Sequence, residues 1–414
     1  VVGVTADSKS IAPVSITSAK PVVKGSGSVD TDRPSGKIAV FLAGDSTVKD
    51  YSAGAINNSG ANRVEGSWGE FLGNLLDSSK YAVMDYAEGG RSSKTFIDDG
   101  FLDKITNQMY AGDYLFIQFG HNDCAYTYAD RYVPIGTPDA NGVYPTTEGT
   151  YKYYLQKYID AAKDKGATPV LVTPVSRLYF NADGTIKAHH DDNTSSNDAY
   201  VTAVKQLAQE NGIECIDMFS VTKAMYEDAY KADSTASGEV SNLASRLFAP
   251  GEKTHHSKLG GFAVACKLAE QIKGSSLGLA SGVVAPSKVT AADDKGYTEF
   301  MVMSNGTFTG YDKNPAGVYD ESYVDTYWTD FVNESIAKLK GGSVTPPVEK
   351  PVVGDANGDK VVTADDAALA LSYCLAPEST EITEQGIKNA NVDKEDGITA
   401  KDAAYILQKA LDST

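Results

Sequence analysis

The chain has 414 residues, 42% of them hydrophobic, enough for one large core and a smaller module, which excludes a wholly disordered polypeptide. A formal net charge of -18 and a sequence pI of about 4.7 give a surface that repels nucleic acid and anionic membranes, so neither is expected as a partner. No apolar run approaches the roughly 20 residues of a membrane helix, and the sequence opens at Val1 without a secretory leader, so it reads as a soluble, mature chain.

In chain order, residues 1–36 are rich in Ser, Thr, Val and Lys without a sustained period and read as an N-terminal tail or linker. From 37 onward short apolar runs (KIAVFLAGDS, YAVMDYAE, YLFIQFG, TPVLVTPV, IECIDMF) alternate with helical patterns such as SWGEFLGNLLDSSK and GTYKYYLQKYIDAAKDKG. Five such strand-helix units predict a parallel sheet with helices on both faces, spanning 38–273. Residues 274–342 carry an Asn305-Gly306 turn signal and a predicted helix YWTDFVNESIAKLK, and extend that domain to 37–342 without an evident task. The prolines of 343–352 mark a linker, and 353–414 form a separate module. Cys124, Cys215, Cys266 and Cys374 show no paired metal-ligand spacing and read as buried thiols, with two disulfides as the alternative in a secreted protein.

In open parallel sheets the ligand crevice lies outside the carboxyl ends of the strands, and three of the predicted strand ends are polar. They are Gly44-Asp45-Ser46-Thr47, Gly89-Gly90-Arg91-Ser92 and Gly120-His121-Asn122-Asp123. These offer a hydroxyl, a backbone N–H that a residue without Cβ brings close to a ligand, and a carboxamide donor. Further on, Glu252-Lys253-Thr254-His255-His256 sets a carboxylate three residues before a histidine, ahead of a predicted helix FAVACKLAEQI. Each block alone is ambiguous, since Gly, Asp and Ser commonly follow a strand.

In this order the blocks resemble those of the SGNH, or GDSL-type, hydrolases. GDSTVKDY, GSWGEFL, GGRSSKTF, FGHND, VTPVSR and THHSKLGGFAVA are more closely similar to the rhamnogalacturonan acetylesterase branch of carbohydrate esterases. The resemblance covers about 38–273 and implies a flavodoxin-like three-layer αβα fold. It implies Ser46 as nucleophile, His255 as base, and an oxyanion hole made of the Ser46 N–H, the Gly90 N–H and the Asn122 side chain. The family's usual aspartate is replaced by Glu252, one methylene longer, which can still hold a histidine tautomer. His255 is preferred to its neighbour because it has the carboxylate at minus three and sets GGFAVA in the family's helix register; Lys253 stands at minus three from His256. The implied activity is extracellular removal of acetyl groups from plant cell-wall polysaccharide, pectin or rhamnogalacturonan, with no cofactor for catalysis.

Other polar residues have plainer readings. Asp45 is expected to organise backbone N–H groups beside the nucleophile, and His121 and Asp123 to be structural. His189 and His190, in KAHHDDNTSSND, read as solvated loop residues, a metal site being the alternative that lacks two further ligands. Arg91 and Arg177 read as internal ion pairs, with contact to a substrate uronate as the alternative. Tyrosines crowd into AYTYADRYVPIG and GVYPTTEGTYKYYLQKY, and those in the loop after Asn122 are candidates for a sugar-ring platform. Trp68 is assigned to packing.

The C-terminal stretch repeats with a period of 36 residues, TADDAALALSYCL from Thr363 matching TAKDAAYILQKAL from Thr399 at seven of thirteen positions. Each predicted helix is preceded by oxygen-bearing residues at calcium-loop positions 1, 3, 5, 9 and 12. These are Asp355, Asn357, Asp359, Thr363 and Asp366, then Asn391, Asp393, Glu395, Thr399 and Asp402, with Val361 or Gly397 offering a carbonyl at position 7. Lys360 or Asp396 stands at position 6 and Asp at 12, where the common EF-hand has Gly and Glu. Two such halves after a Pro/Thr linker resemble a dockerin, a small all-α calcium-binding module. That resemblance implies two calcium sites and docking onto a cohesin of a cellulosome scaffoldin, with Ala364, Asp365, Ala400 and Lys401 at the recognition positions. Asn391 lowers the charge of the second loop, which is expected to bind calcium more weakly.

Two other readings stay open. One is an acetylxylan esterase or a lipase-type enzyme with the same catalytic groups, the lack of a hydrophobic lid arguing against a lipase. The other is a non-catalytic, dockerin-bearing glycan-binding protein, motivated by Glu252 and by the unassigned stretch 274–342.

Overall fold

The computed structural model describes residues 33–52, 55–56, 64–195, 197–287, 289–291, 301–304, 307–310, 326–341, 354–357, 362–380, 382–392 and 397–412. Outside them lie most of the predicted tail, the Asn305-Gly306 turn, the linker 343–352, and the loop residues Asp359, Val361, Asp393 and Glu395.

Among the described residues the first element is β1 (Ile38–Gly44), followed by β2 (Glu65–Gly66), α1 (Trp68–Leu72), β3 (Tyr81–Asp85), α2 (Ser93–Asp98), α3 (Phe101–Thr106) and β4 (Tyr114–Gln118). Next come α4 (Tyr151–Asp164), β5 (Thr168–Val172), α5 (Ala199–Asn211), β6 (Cys215–Ile216), α6 (Met218–Ala232), α7 (Asn242–Ser245), β7 (His256–Ser257) and α8 (Lys258–Gly274). A three-stranded antiparallel ribbon, β8 (Val289–Ala291), β9 (Met301–Ser304) and β10 (Thr307–Gly310), precedes α9 (Thr326–Lys340). The last helices are α10 (Ala364–Leu375), α11 (Glu384–Ala390) and α12 (Ala400–Asp412). No helix of the described residues is long and apolar enough to cross a membrane.

The main sheet has the order β3-β1-β4-β5-β6 with every neighbouring pair parallel. Counted among the sheet strands alone this is the doubly wound order 2-1-3-4-5, in which the chain changes direction at the first strand. A crevice therefore opens beyond the carboxyl ends of β1 and β4, the strands that lead into Ser46 and Asn122.

Strands covered on both faces lose the polar alternation of an exposed sheet, which is why β1 reads IAVFLAG without a break. Val40, Leu42, Phe116 and Val170 pack on one face with Trp68, Phe71 and Phe262. Ala39, Phe41, Leu115 and Ile117 pack on the other with Phe96, Tyr158 and Tyr200. Helix α9 gives part of the unassigned stretch a task. Its Trp328, Val332, Ile336 and Leu339 recur every three to four residues, lie buried in the first of these layers, and the Trp328 indole N–H donates to the Leu243 carbonyl at 2.9 Å. Burial of each such side chain stabilises the fold by about 1.5–3 kcal/mol.

All four cysteines are free thiols. Cys124 and Cys266 are buried, whereas Cys215, on edge strand β6, and Cys374 are only half-buried, which corrects the reading of four buried thiols.

In the C-terminal module α10 and α12 share a small core of Ala367, Ala370, Ala403 and Ile406. The 36-residue repeat recurs in its hydrogen bonds. Asp366 accepts from the N–H groups of Ala356 and Thr363, both at 2.8 Å, and one period later Asp402 accepts from those of Val392 and Thr399, again at 2.8 Å. Ala364, Asp365, Ala400 and Lys401 are exposed at the starts of α10 and α12.

Candidate active site

Ser46 stands on the turn that leaves β1, and the residues around it are held from below. Asp45 is fully buried; its Oδ1 accepts from the Thr47 N–H at 2.9 Å and the Thr47 hydroxyl at 2.7 Å. That hydroxyl in turn accepts from Gln118 Nε2 at 2.8 Å, and Gln118 Oε1 accepts from the Trp68 indole at 3.0 Å. Tyr51 Oη donates to the Ser46 carbonyl at 2.9 Å. Burial pushes Asp45 upward, but the His121 side chain and the Thr47 donors outweigh it and hold the carboxyl below its ordinary range. Trp68 thus both packs and anchors the nucleophile turn, a role its sequence context did not reveal. A glutamine inside the otherwise apolar, fully buried strand YLFIQ was the available signal.

Gly90 has φ +75°, which only glycine adopts without strain, and it leads into α2, capped by Ser92. Asn122 donates from Nδ2 to the Arg91 carbonyl at 3.0 Å, leaving its second amide hydrogen uncommitted to that bond. The following Asp123 ties β4's exit to α2: it accepts from the Ser93 N–H at 2.9 Å, the Ser93 hydroxyl at 2.5 Å and the Gly120 N–H at 3.1 Å. Burial pushes Asp123 up to about 7.

His255 sits immediately before β7, whose antiparallel pairing with β2 sets Gly66 opposite His256. His255 Nε2 lies 3.0 Å from Ser46 Oγ, and Nδ1 lies 3.2 Å from Glu252 Oε2. With Nδ1–H donating to the carboxylate, Nε2 carries the lone pair that accepts the serine proton. The adjacent His256 points inward: it is buried, with Nε2 2.6 Å from Tyr226 Oη, and burial pushes it down to about 3. Alternation along a strand places these neighbours on opposite sides.

Ser46, Gly90, Asn122, Glu252 and His255 line one pocket of about 510 Å³, together with Lys49, Tyr51, Glu65, Glu88, Gly89 and Arg131. No described residue of 274–342 lines it. Lys49 is held by Glu88 at 2.7 Å. Arg91 and Arg177 are absent from the lining. Arg91 binds Asp99 and the Gly89 carbonyl, and Arg177 donates to the His121 carbonyl. Arg131, inside a tyrosine-rich loop, had no sequence signal.

His189 and His190 are corrected from solvated loop residues to packed ones. The His189 Nε2 accepts from the Arg177 N–H at 2.8 Å, so its Nδ1–H donates to the Lys187 carbonyl at 2.7 Å. His190 is fully buried against the His121 ring, 4.7 Å between centroids. Together with Asp198 they are close enough to hold a metal ion, but the Nε2 lone pair of His189 is already engaged by a backbone N–H, and the set does not fit one.

A hydroxyl, an imidazole and a carboxylate in hydrogen-bonded sequence, beside backbone and carboxamide donors at the switch point of a parallel sheet, is the arrangement of a serine-type ester hydrolase. The sequence profile of the GDSL-like lipase/acylhydrolase family matches residues 42–242. The chain is 34% identical over 247 residues to the probable rhamnogalacturonan acetylesterase YesY of Bacillus subtilis, covering 59% of this chain and 97% of that protein. It is 34% identical over 257 residues to the rhamnogalacturonan acetylesterase RhgT of the same organism, 60% of this chain and 94% of that one. The crystal structure of Bacillus subtilis YxiM superposes with a TM-score of 0.46 at 24% identity, covering 60% of this chain and 59% of that one. The chain belongs to the GDSL-like lipase/acylhydrolase family.

Proposed function

We propose that this enzyme is a carbohydrate acetylesterase that removes acetyl groups from a rhamnogalacturonan-type polysaccharide. Two relatives named for that activity, each covered almost end to end, support the substrate class. The observation that carries the chemistry is the 3.0 Å contact between Ser46 Oγ and His255 Nε2 at a pocket that also presents Gly90 and Asn122.

Ser46 Oγ attacks the acetyl carbonyl carbon as its proton passes to His255 Nε2, and Glu252 holds the imidazolium. The tetrahedral oxyanion is met by the N–H groups of Ser46 and Gly90 and by Asn122 Nδ2. Collapse breaks the bond to the sugar oxygen, which leaves as the alcohol with the proton from His255. Water, deprotonated by the same imidazole, then releases acetate and restores Ser46. The test is acetate release from acetylated rhamnogalacturonan, acetylated xylan and a long-chain ester by the wild type, Ser46→Ala and His255→Ala. Release from the pectic polymer, lost in both variants, is expected. Preference for xylan overturns the substrate, and full activity in Ser46→Ala overturns the mechanism.

For residues 353–414 we read a dockerin that carries the enzyme, outside the cell, onto a cohesin. Support comes from the paired backbone bonds of Asp366 and Asp402, one repeat apart. Their loops fit a hard cation by donor chemistry, since the described members Asp355, Asn357, Thr363, Asp366, Asn391, Thr399 and Asp402 all offer oxygen, and Asp355, Asp366 and Asp402 bring buried carboxylates. Asp355, Asp366 and Asp402 would hold calcium there, and the bound ion would neutralise these carboxylates and rigidify the two loops. Calcium titration of the EDTA-treated full chain, followed by thermal unfolding, is expected to raise one transition selectively; no shift at millimolar calcium overturns this reading.

A further inference from the structure

We infer that Arg131 is the residue by which this pocket recognises the carboxylate of a uronate at or beside the acetylated sugar. The inference rests on the acetylesterase reading above and names the feature of the substrate that the pocket selects. Arg131 Nη1 lies 3.5 Å from Asn122 Oδ1, and a Cβ built on Gly90 would meet the same atom at 3.7 Å, so the guanidinium stands against two of the proposed oxyanion donors. Its plane is supported by Tyr128, whose ring centroid is 5.0 Å from Cζ. Tyr128 and Tyr126 are both exposed, an aromatic surface suited to a sugar ring on the same loop as the cation.

The charge of Arg131 is not consumed inside the protein. Among the described residues its ion pair is with its neighbour Asp130 at 3.3 Å, an exposed carboxylate, and its Nε is buried without a hydrogen-bond partner, which leaves the Nη edge to face the pocket. Of the pocket's other charges, Lys49 is engaged by Glu88 and Glu252 by His255, and Glu65 adds a third carboxylate. A polyanion therefore gains nothing from the general field of this acidic protein. It is accepted through a direct fork-like contact to a guanidinium held in place beforehand, and a uronate supplies the planar carboxylate that contact requires. Neutral xylan lacks it.

The test compares acetylated rhamnogalacturonan oligosaccharides with the same material after reduction of its carboxyl groups to alcohols. The ratio of kcat/KM for the charged over the reduced form is measured in the wild type, Arg131→Lys and Arg131→Gln, each checked for folding by thermal unfolding. The wild type is expected to favour the charged form, Arg131→Gln to lower the ratio about tenfold or more, and Arg131→Lys to fall between. A parallel fall on both substrates overturns the inference, because Arg131 then serves Asn122 and the oxyanion; so does a wild type without preference. Failure of the wild type to release acetate from either form removes the substrate reading itself, and is seen before any variant is made.

Discussion

The two halves of the pocket are built differently. The Ser46 side is anchored by buried bonds that run from Trp68 through Gln118 and Thr47 to Asp45, and by the Asp123 clamp on Ser93. The Glu252–His255 side is a loop ahead of a two-residue strand, with side chains one third to nearly one half exposed and a single 3.2 Å bond between them. Donors that must meet an oxyanion without reorganising sit where packing over-determines them. The proton carrier sits where water and substrate reach it. Tolerance to substitution should follow the same division.

Ser46→Ala is the largest break, with an expected loss of at least about 10⁴-fold in acetate release. Asn122→Ala, which removes a fixed donor, should lower kcat about 10²–10³-fold. Glu252→Gln tests the looser half. Because its carboxylate is exposed and screened, the expected loss is only about tenfold, and a loss as large as that of Asn122→Ala would show the exposed side to be as finely placed as the buried one.

Thr47→Val tests the buried half by stability instead. It strands the Gln118 amide and removes one of the two bonds to Asp45 Oδ1, which keeps the Thr47 N–H, and should cost about 1–3 kcal/mol in denaturant unfolding. The last test is the pH dependence of His256. Its folded pKa lies near 3 against an ordinary 6.5, so the unfolded chain takes up a proton that the native ring refuses. Its contribution is complete above 6.5 and disappears as pH falls toward 3. The stability difference between wild type and His256→Gln should therefore narrow on acidification across that window, and a constant difference would refute the assignment.

Sequence reading went far along the strands and stopped at the loops. Apolar runs bounded by Gly and Asp located β1, β3, β4 and β5, since strands covered on both faces must be continuously apolar. It overstated β6, which is only Cys215–Ile216, and did not foresee β2 and β7, two residues each, which no period can mark. The Glu252 spacing singled out His255 over His256, and the structure sets the two on opposite sides of β7's start. The anchoring role of Trp68 lay beyond that reading because its partner Gln118 is distant along the chain, and Arg131 because nothing in its tyrosine-rich loop shows which side chain turns toward the pocket.

By itself the sequence determined the parallel sheet, the order of the polar strand ends and the 36-residue repeat, because periodicity, strand punctuation and self-similarity are local properties of the chain. Only the tertiary structure decided which cation faces the pocket, which histidines are buried, and that α9 is a layer of the main core. Those outcomes depend on which surfaces meet across the fold, and a side chain's burial and charge partners are set by residues far from it in sequence.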